Sequence, residues 1–442
     1  MSEPTRFIPS GDRADEVALD VERAIREGAL SPGQRLPAIR DVADRSGLSP
    51  TTVAAAYRLL RERGLIDTHP RGSRVTHRPP LRLPAAAQLP PGTLDLADGN
   101  PDPELLPPLG AHLERVLELQ PAVLYGASPD VEELIELGRT QFDVAGVPAE
   151  HVAVVGGALD GIERTLMARL HRGDRIAVED PTFDAILDLL RALQLEPMPV
   201  AVDDEGPRPD ALEEALGEGA AACLITPRVH NPTGAAVGAG RSKALRDVLA
   251  RFPDVLVIED DHAHGVAGVD HHPLCHDRRA WALIRSAGKA LAPDLRAAVM
   301  VGDATTVTRV AGRRALGTGW VSNILQRLLV ALWTDPQTPA RLQAATETYR
   351  QRRQALLDEL ARVGIEAHGR SGWNVWVPVD DETAVVGHLH ATGWAVRAGH
   401  RFRLRSGPAI RITTARLDPT RAGELATDLA AGLDTPQPIR GA

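Results

Sequence analysis

Lysine is nearly missing from this chain of 442 residues: of its 50 Lys and Arg side chains, only Lys243 and Lys289 are lysines. Ordinary surface charge is therefore carried by arginine, whose guanidinium stays protonated and is a poor nucleophile. A lysine kept in such a composition marks a place where amine chemistry is wanted, and its surroundings must choose between the two. Cysteine is equally scarce. Cys223 and Cys275 lie far apart with no CxxC spacing, which excludes a disulfide framework and a Cys-rich zinc site. No apolar run reaches the roughly 18 residues of a membrane span. The first twenty residues lack the apolar core of a signal peptide. The expectation is a cytoplasmic protein without a membrane partner. At 43% hydrophobic and 25% charged residues, the composition is that of a globular chain long enough for two or three domains.

A net charge of −9 argues against general polyanion binding, but the charge is unevenly spread. Residues 1–30 hold four arginines against seven acids, a balance of −3; residues 31–78 hold nine arginines against four acids, a balance of +5. A basic patch on an acidic body fits a small nucleic-acid-binding module. The texture of the chain divides likewise. Residues 1–76 alternate short helical patterns with turns. Residues 77–94 carry Pro79, Pro80, Pro84, Pro90 and Pro91 and predict an extended, semi-stiff linker. Residues 95–442 alternate apolar strand-like runs with amphipathic helical stretches, the pattern of an α/β sheet with crossover helices.

In the first region, Val17, Ala18, Val21, Ala24 and Ile25 predict a helix over residues 15–27. A second, short helix carries Ile39, Val42 and Ala43 and stops at Gly47. Ser49 and Pro50 read as N-cap and first turn of a third, with Val53, Ala56, Tyr57 and Leu60 on one face. A hairpin follows, turning at His69 and Pro70. This is the order of a winged helix-turn-helix. The third helix would lay Ser49, Thr51 and Thr52 against the major groove of a double-stranded DNA operator. Arg40 and Arg58 would neutralise phosphates, and Arg71 and Gly72 would form the wing tip. The stretch from Gly28 to Val75, with LPAIR, SPTTV and GL in order, resembles the DNA-binding domain of GntR-type bacterial regulators. Pro50 stands where that family commonly has an arginine.

In the large region, three apolar runs end on reactive residues. Residues 222–226 lead to Asn231 in NPTG; residues 256–258 lead to Glu259, Asp260, Asp261 and His262; residues 281–285 lead to Ser286, Ala287, Gly288 and Lys289. Ligands of open α/β sheets sit at strand C-terminal ends. An amine, an acid and an amide in that place suit pyridoxal 5'-phosphate. Its aldehyde needs an amine for a Schiff base, which Lys289 supplies; its pyridine nitrogen needs a carboxylate, Asp260; its phenolic oxygen needs a donor, Asn231. Ser286, Arg296 and a helix opening at Ala158 and Leu159, after Gly156 and Gly157, would hold the phosphate. Lys243, in an Arg-flanked polar helix, reads as a solvated charge. The histidines at 262, 264, 271, 272 and 276 read as an exposed polar loop rather than a metal site.

The large region resembles fold-type I pyridoxal-phosphate enzymes of the aspartate aminotransferase class, with SAGKALAPDLR as the lysine element. A winged helix ahead of such a domain resembles the MocR/PdxR subfamily of GntR regulators. That resemblance implies a large, mainly parallel sheet domain and a small C-terminal α/β subdomain. It gives Lys289, Asp260, Asn231, Ser286, Arg296, Ala158 and Leu159 the roles above. It adds Phe183 stacked near the ring, Tyr125 reaching the phosphate of a partner subunit, and Arg411 binding a substrate α-carboxylate. His262 stands where many relatives have tyrosine, and Gly288 where they have serine. The expected protein is a head-to-tail homodimer that regulates transcription by sensing the cofactor or a small amino-compound effector. The alternative is a working aminotransferase with an appended DNA-binding domain.

Overall fold

The computed structural model describes residues 7–26, 29–31, 33–62, 65–69, 72–75, 89–119, 123–275 and 278–433, and these form two compact units. Arg71, His276 and most of the expected linker lie outside the described residues.

The N-terminal unit is built from α1 (Ala14–Arg26), α2 (Ile39–Ser46) and α3 (Pro50–Glu62), followed by the hairpin β1 (Ile66–His69) and β2 (Gly72–Val75). The apolar stripes close into one core: Val17, Ala18 and Val21 of α1 meet Val53, Ala56, Tyr57 and Leu60 of α3, with Val42, Ile66 and Val75 around them. Gly47 ends α2 with φ +71, a left-handed value that glycine adopts without steric cost. The Tyr57 hydroxyl donates to Pro37 O at 2.9 Å, so α3 is tied to the turn that precedes α2. This is the winged helix-turn-helix that the sequence predicts.

The second unit starts with β3 (Leu94–Asp95). Its main sheet contains β4 (Val152–Val155), β5 (Arg175–Asp180), β6 (Glu196–Asp203), β7 (Gly206–Pro207), β8 (Ala222–Ile225), β9 (Leu256–Asp261), β10 (Trp281–Ser286) and β11 (Ala298–Gly302). The strand order is β4-β11-β10-β9-β8-β5-β6-β7. Strands β5, β8, β9 and β10 pair in parallel, while β11 runs against both its neighbours. Every residue of β9 is buried, as is nearly all of β10, which is why the apolar runs 256–258 and 281–284 are continuous rather than alternating. A smaller antiparallel sheet holds β12 (Asn374–Pro378), β14 (Arg397–Ala398) and β15 (Ala409–Thr413), in the order β12-β15-β14. It packs its Val375, Val377, Ile410 and Ile412 with Leu356 and Leu360 of the long helix Thr338–Arg362 and Leu425 and Leu429 of the helix Ala422–Leu433. The short strand β13 (Trp394–Ala395) pairs in parallel with β3. A large mixed sheet with a small α/β subdomain is the expected architecture.

Candidate functional site

Strands β8, β9 and β10 are parallel neighbours, so their C-terminal ends open on one side of the sheet. Asn231, Asp260 and Lys289 follow or finish these three strands, and the sheet order therefore gathers them.

Strand alternation then separates the three consecutive acids of β9: Glu259 and Asp261 face one side and Asp260 the other. The first two are fully satisfied. Glu259 accepts from Leu274 N and Cys275 N at 2.8 and 2.9 Å and meets His271 Nε2 at 3.0 Å. Asp261 receives Arg228 through two bonds of 2.7 and 2.8 Å, and Arg285 Nε at 3.1 Å. Burial alone would raise both acids; His271 holds Glu259 below the usual carboxylate range, and Arg228 holds Asp261 well below it. Asp260 has no such support. Its Oδ1 is buried without a hydrogen-bond partner, and burial, with Asp261 and Glu179 nearby, pushes its carboxyl up to about 7. His262, on the same side, lies 3.7 Å from Asp260 Oδ2 through Nδ1. Burial and then the Lys289 charge lower it to about 3, so it is a neutral imidazole at physiological pH.

Lys289 is brought into the same interior. Its Nζ donates to Gly99 O at 2.8 Å and lies 5.9 Å from the Trp373 ring centroid. Burial, and then Arg411, lowers the amine to about 8, so an unprotonated nucleophile is within reach near neutrality. Arg411, on β15, is buried and is lowered to about 10 by burial and the neighbouring Arg397. It donates to Asn231 Oδ1 at 2.9 Å and to Ala97 O, and it stacks 5.1 Å from the Phe402 ring centroid. Because the Asn231 oxygen takes the arginine, its NH2 group remains as a donor toward the site.

A second cluster forms at the same end of the strands, toward the β4 edge of the sheet. Ser286, Ala298 and Val155 sit opposite one another across β10, β11 and β4. This row places Ser286 beside the turn that opens the helix Ala158–Arg169. Gly157 has φ +101, and a Cβ there would stand 3.1 Å from Arg296 Nη2. Glycine is therefore what lets the Arg296 guanidinium lie against the N-terminus of that helix. Arg296 itself adopts φ +40, the left-handed region. Asp160 ties the turn by accepting from Gly156 N at 2.8 Å, while Ala158 and Leu159 present the first-turn amides.

Phe183 is half-buried in the turn after β5, on the strand-end side. Tyr125 stands apart from this set: it is 94% exposed, its ring meeting Trp320 edge-on at 5.6 Å. Lys243 is exposed and paired with Asp247 at 2.8 Å. The histidine-rich stretch corrects the expectation of an exposed polar loop. The side chain of His271 is 3% exposed and bonded to Glu259, and His264 Nδ1 lies 3.1 Å from Arg228. These rings belong to the buried ion network that supports β9. Arg228 and Arg285, the centre of that network, had no sequence signal, since each meets Asp261 across more than twenty residues.

In the N-terminal unit, Arg40, Ser49, Thr51 and Arg58 are exposed and Thr52 is half-buried. The Ser49 hydroxyl caps α3 by accepting from Thr52 N at 3.1 Å and lies 2.8 Å from the hydroxyls of both Thr51 and Thr52. Three hydroxyls thus crowd one helix N-terminus. Arg58 is seven residues, two turns, from Thr51 and shares its face. At the wing, Gly72 has φ +111, and a Cβ there would stand 3.2 Å from Arg35 Nε. Arg35, absent from the sequence prediction, therefore reaches the turn end of the hairpin, with its backbone bridged to Arg74.

Fold and site define an aminotransferase-type domain carried behind a winged helix. Residues 116–429 match aminotransferase class I and II, and residues 13–75 match the bacterial regulatory proteins of the gntR family. The chain belongs to the family of GntR-type regulators that carry an aminotransferase class I and II domain. It is 37% identical over 429 residues to the vitamin B6 salvage pathway transcriptional repressor PtsJ of Salmonella typhimurium, covering 96% of this chain and 99% of that protein. It is 26% identical over 371 residues to the pyridoxine biosynthesis transcriptional regulator PdxR of Corynebacterium glutamicum, covering 77% of each. Among solved structures, a multiple substrate aminotransferase from Thermococcus profundus aligns with a TM-score of 0.71 at 22% identity, covering 78% of this chain and 92% of that one. The α-aminoadipate aminotransferase LysN of Thermus thermophilus aligns at 0.69, also at 22% identity, covering 78% and 92%.

Proposed function

We propose that this protein is a DNA-binding transcriptional regulator whose aminotransferase-type domain binds pyridoxal 5'-phosphate on Lys289 and uses it to sense the cofactor itself or an amino compound. The observation that carries the reading is the lone carboxylate. Asp260 is buried, lacks a partner on Oδ1, and feels the charge of Lys289, a half-buried primary amine in a chain that has only two lysines. A carboxylate left unsatisfied in that way costs stability unless a ligand completes it. A pyridinium nitrogen supplies what is missing, and the bound cofactor would act as an electrophile and electron sink. Asp260 would then hold the ring proton, Asn231 NH2 would donate to the ring oxygen, and neutral His262 would offer a further donor. Ser286, Arg296 and the amides of Ala158 and Leu159 would hold the phosphate. Arg411 would pair with an effector carboxylate. The vitamin B6 role in the name of PtsJ supports B6 status as the signal.

The same reading takes two copies of the chain, head to tail, each lending its Tyr125 to the other's phosphate site. The exposed apolar groups around that residue support it: Leu124 is 74% exposed and Leu316, four residues before Trp320, is 91% exposed. Leu316→Glu is expected to turn a dimer into a monomer in light scattering without unfolding the chain; an unchanged mass would remove this surface from the account. Two winged helices in the dimer would meet two half-sites in cytoplasmic DNA. Arg40→Ala should weaken operator binding and lower the slope of log affinity against log salt by about one. Thr52→Ala should weaken it at fixed slope. A wild-type slope in Arg40→Ala together with wild-type affinity in Thr52→Ala would move the DNA face elsewhere.

The deciding experiment titrates pyridoxal phosphate into the full-length protein on its own upstream DNA and follows binding by anisotropy. A cofactor-dependent change supports the regulator. The intact Arg411 favours one competing reading, a working aminotransferase; steady turnover of an amino acid with a keto acid would promote it.

A further inference from the structure

Lys289 and Arg411, the two cations that the proposed ligands would engage, are held by one short piece of backbone. Lys289 Nζ donates to Gly99 O at 2.8 Å, and Arg411 donates to Ala97 O. The approach is close enough to require glycine: Gly99 has φ +72, and a Cβ there would stand 3.2 Å from both terminal nitrogens of Arg411. Residues 97–100 otherwise bond to their own neighbours, with Ala97 N on Asp95 Oδ1 and Asn100 N on Asp98 Oδ1, both at 2.9 Å, apart from a half-exposed ion pair of Asp98 with Arg416 at 3.1 Å.

Fixed points stand on either side. Downstream, Asp102 N donates to the Tyr349 hydroxyl at 3.1 Å, and its carboxylate meets Arg352 at 2.6 Å. Upstream, β3 is held by Leu94 N to Gly393 O, Leu96 N to Ala395 O, and Thr413 N to Leu96 O. That pairing with β13 is only two residues long. Toward the N-terminus the chain runs straight from β3 into the proline-rich stretch.

We infer that residues 97–99 are a clasp that competes with ligands for Lys289 and Arg411, so that ligand binding releases the backbone leading into the linker. The inference rests on the cofactor reading above and supplies its regulation. An amine joined to an aldehyde carbon has no proton to spare for Gly99. A guanidinium gripping a carboxylate with both terminal nitrogens no longer serves Ala97. Each event removes one of the two bonds that fasten the segment to Lys289 and Arg411, and what remains is the half-exposed Asp98–Arg416 pair, a weak tether in contact with solvent, and the short ladder of β3. The site and the DNA-reading unit are in this way coupled through the chain itself.

Two substitutions of one residue isolate the bond. Neither Lys289→Ala nor Lys289→Arg can attach the cofactor through a lysine amine, but arginine can still donate to Gly99 O and alanine cannot. Both are compared with wild type in the absence of pyridoxal phosphate, by hydrogen exchange at residues 97–100 and by operator affinity. The clasp predicts faster exchange in Lys289→Ala and an operator affinity moved toward that of pyridoxal-phosphate-loaded wild type, by about 5- to 150-fold. Lys289→Arg should stay at the cofactor-free wild-type values. Gly99→Ala, which strains the segment and crowds Arg411, should move operator affinity the same way as Lys289→Ala. Identical behaviour of the two Lys289 variants in both measurements would overturn the clasp, as would a Gly99→Ala protein with wild-type operator affinity. A wild type that takes up no pyridoxal phosphate would instead defeat the cofactor reading, which the comparison made without cofactor does not depend on.

Discussion

Lys289→Ala removes, completely, the visible absorbance that pyridoxal phosphate gives with the wild-type protein. The one other lysine does not take over. Lys243 is exposed, its side chain 73% accessible, and ion-paired with Asp247. It has neither the burial that lowers Lys289 to about 8 nor a carboxylate placed for a ring nitrogen. Arginine, which supplies the remaining 48 basic side chains, stays protonated and does not condense with aldehydes under these conditions. Titration of the purified variant with pyridoxal phosphate, followed by absorbance, checks this. A variant that develops the wild-type band would place the covalent chemistry elsewhere.

Asp260→Asn should act in opposite directions on ligand and fold. The amide cannot serve as a charged partner for a ring nitrogen, and losing a charge-assisted hydrogen bond of about 1.5–3 kcal/mol weakens cofactor retention about 10- to 150-fold. In the cofactor-free protein the same change stabilises the fold at neutral pH. The Asp260 carboxyl is raised from 3.8 to about 7, mainly by burial. A raised folded-state value means that the folded protein binds the proton more tightly than the unfolded chain does. Its contribution is therefore fully present below pH 4 and is lost as pH rises to 7. That loss amounts to about 4 kcal/mol at 1.36 kcal/mol per unit. The neutral amide avoids it. Cofactor-free Asp260→Asn should therefore melt above wild type at pH 8, with the gap closing toward pH 4. A gap that does not depend on pH would show that the carboxyl is not held in this way.

Much of the site was legible in the sequence because its residues follow apolar runs. Asn231, Asp260 and Lys289 each come just after or at the end of a strand, and parallel neighbours must open on one side. The boundaries of α2 and α3 were likewise set by local chemistry, a left-handed glycine at Gly47 and a serine cap at Ser49. What the sequence hid depends on pairing across distance. Arg228 meets Asp261 across 33 residues, and Lys289 meets Gly99 across 190. No local pattern encodes such partners. The histidines between 262 and 272 looked like solvent-facing polarity because their partners, Glu259 and Asp261, sit inside a strand whose neighbours are apolar. Composition says loop there, but the acids of β9 need donors, and the rings together with Arg228 and Arg285 provide them. Tyr125 is the complementary case. The proposed sharing with a second copy of the chain calls for the exposure that it has here.

The scarcity of lysine makes the central claim open to a direct chemical assay. Pyridoxal phosphate is added to the full-length protein, the product is reduced with borohydride, and the digested peptides are weighed. The account predicts a single phosphopyridoxyl group on the peptide that contains Lys289 and none on the peptide that contains Lys243. Label on Lys243, on the N-terminal amine alone, or on no peptide would contradict it.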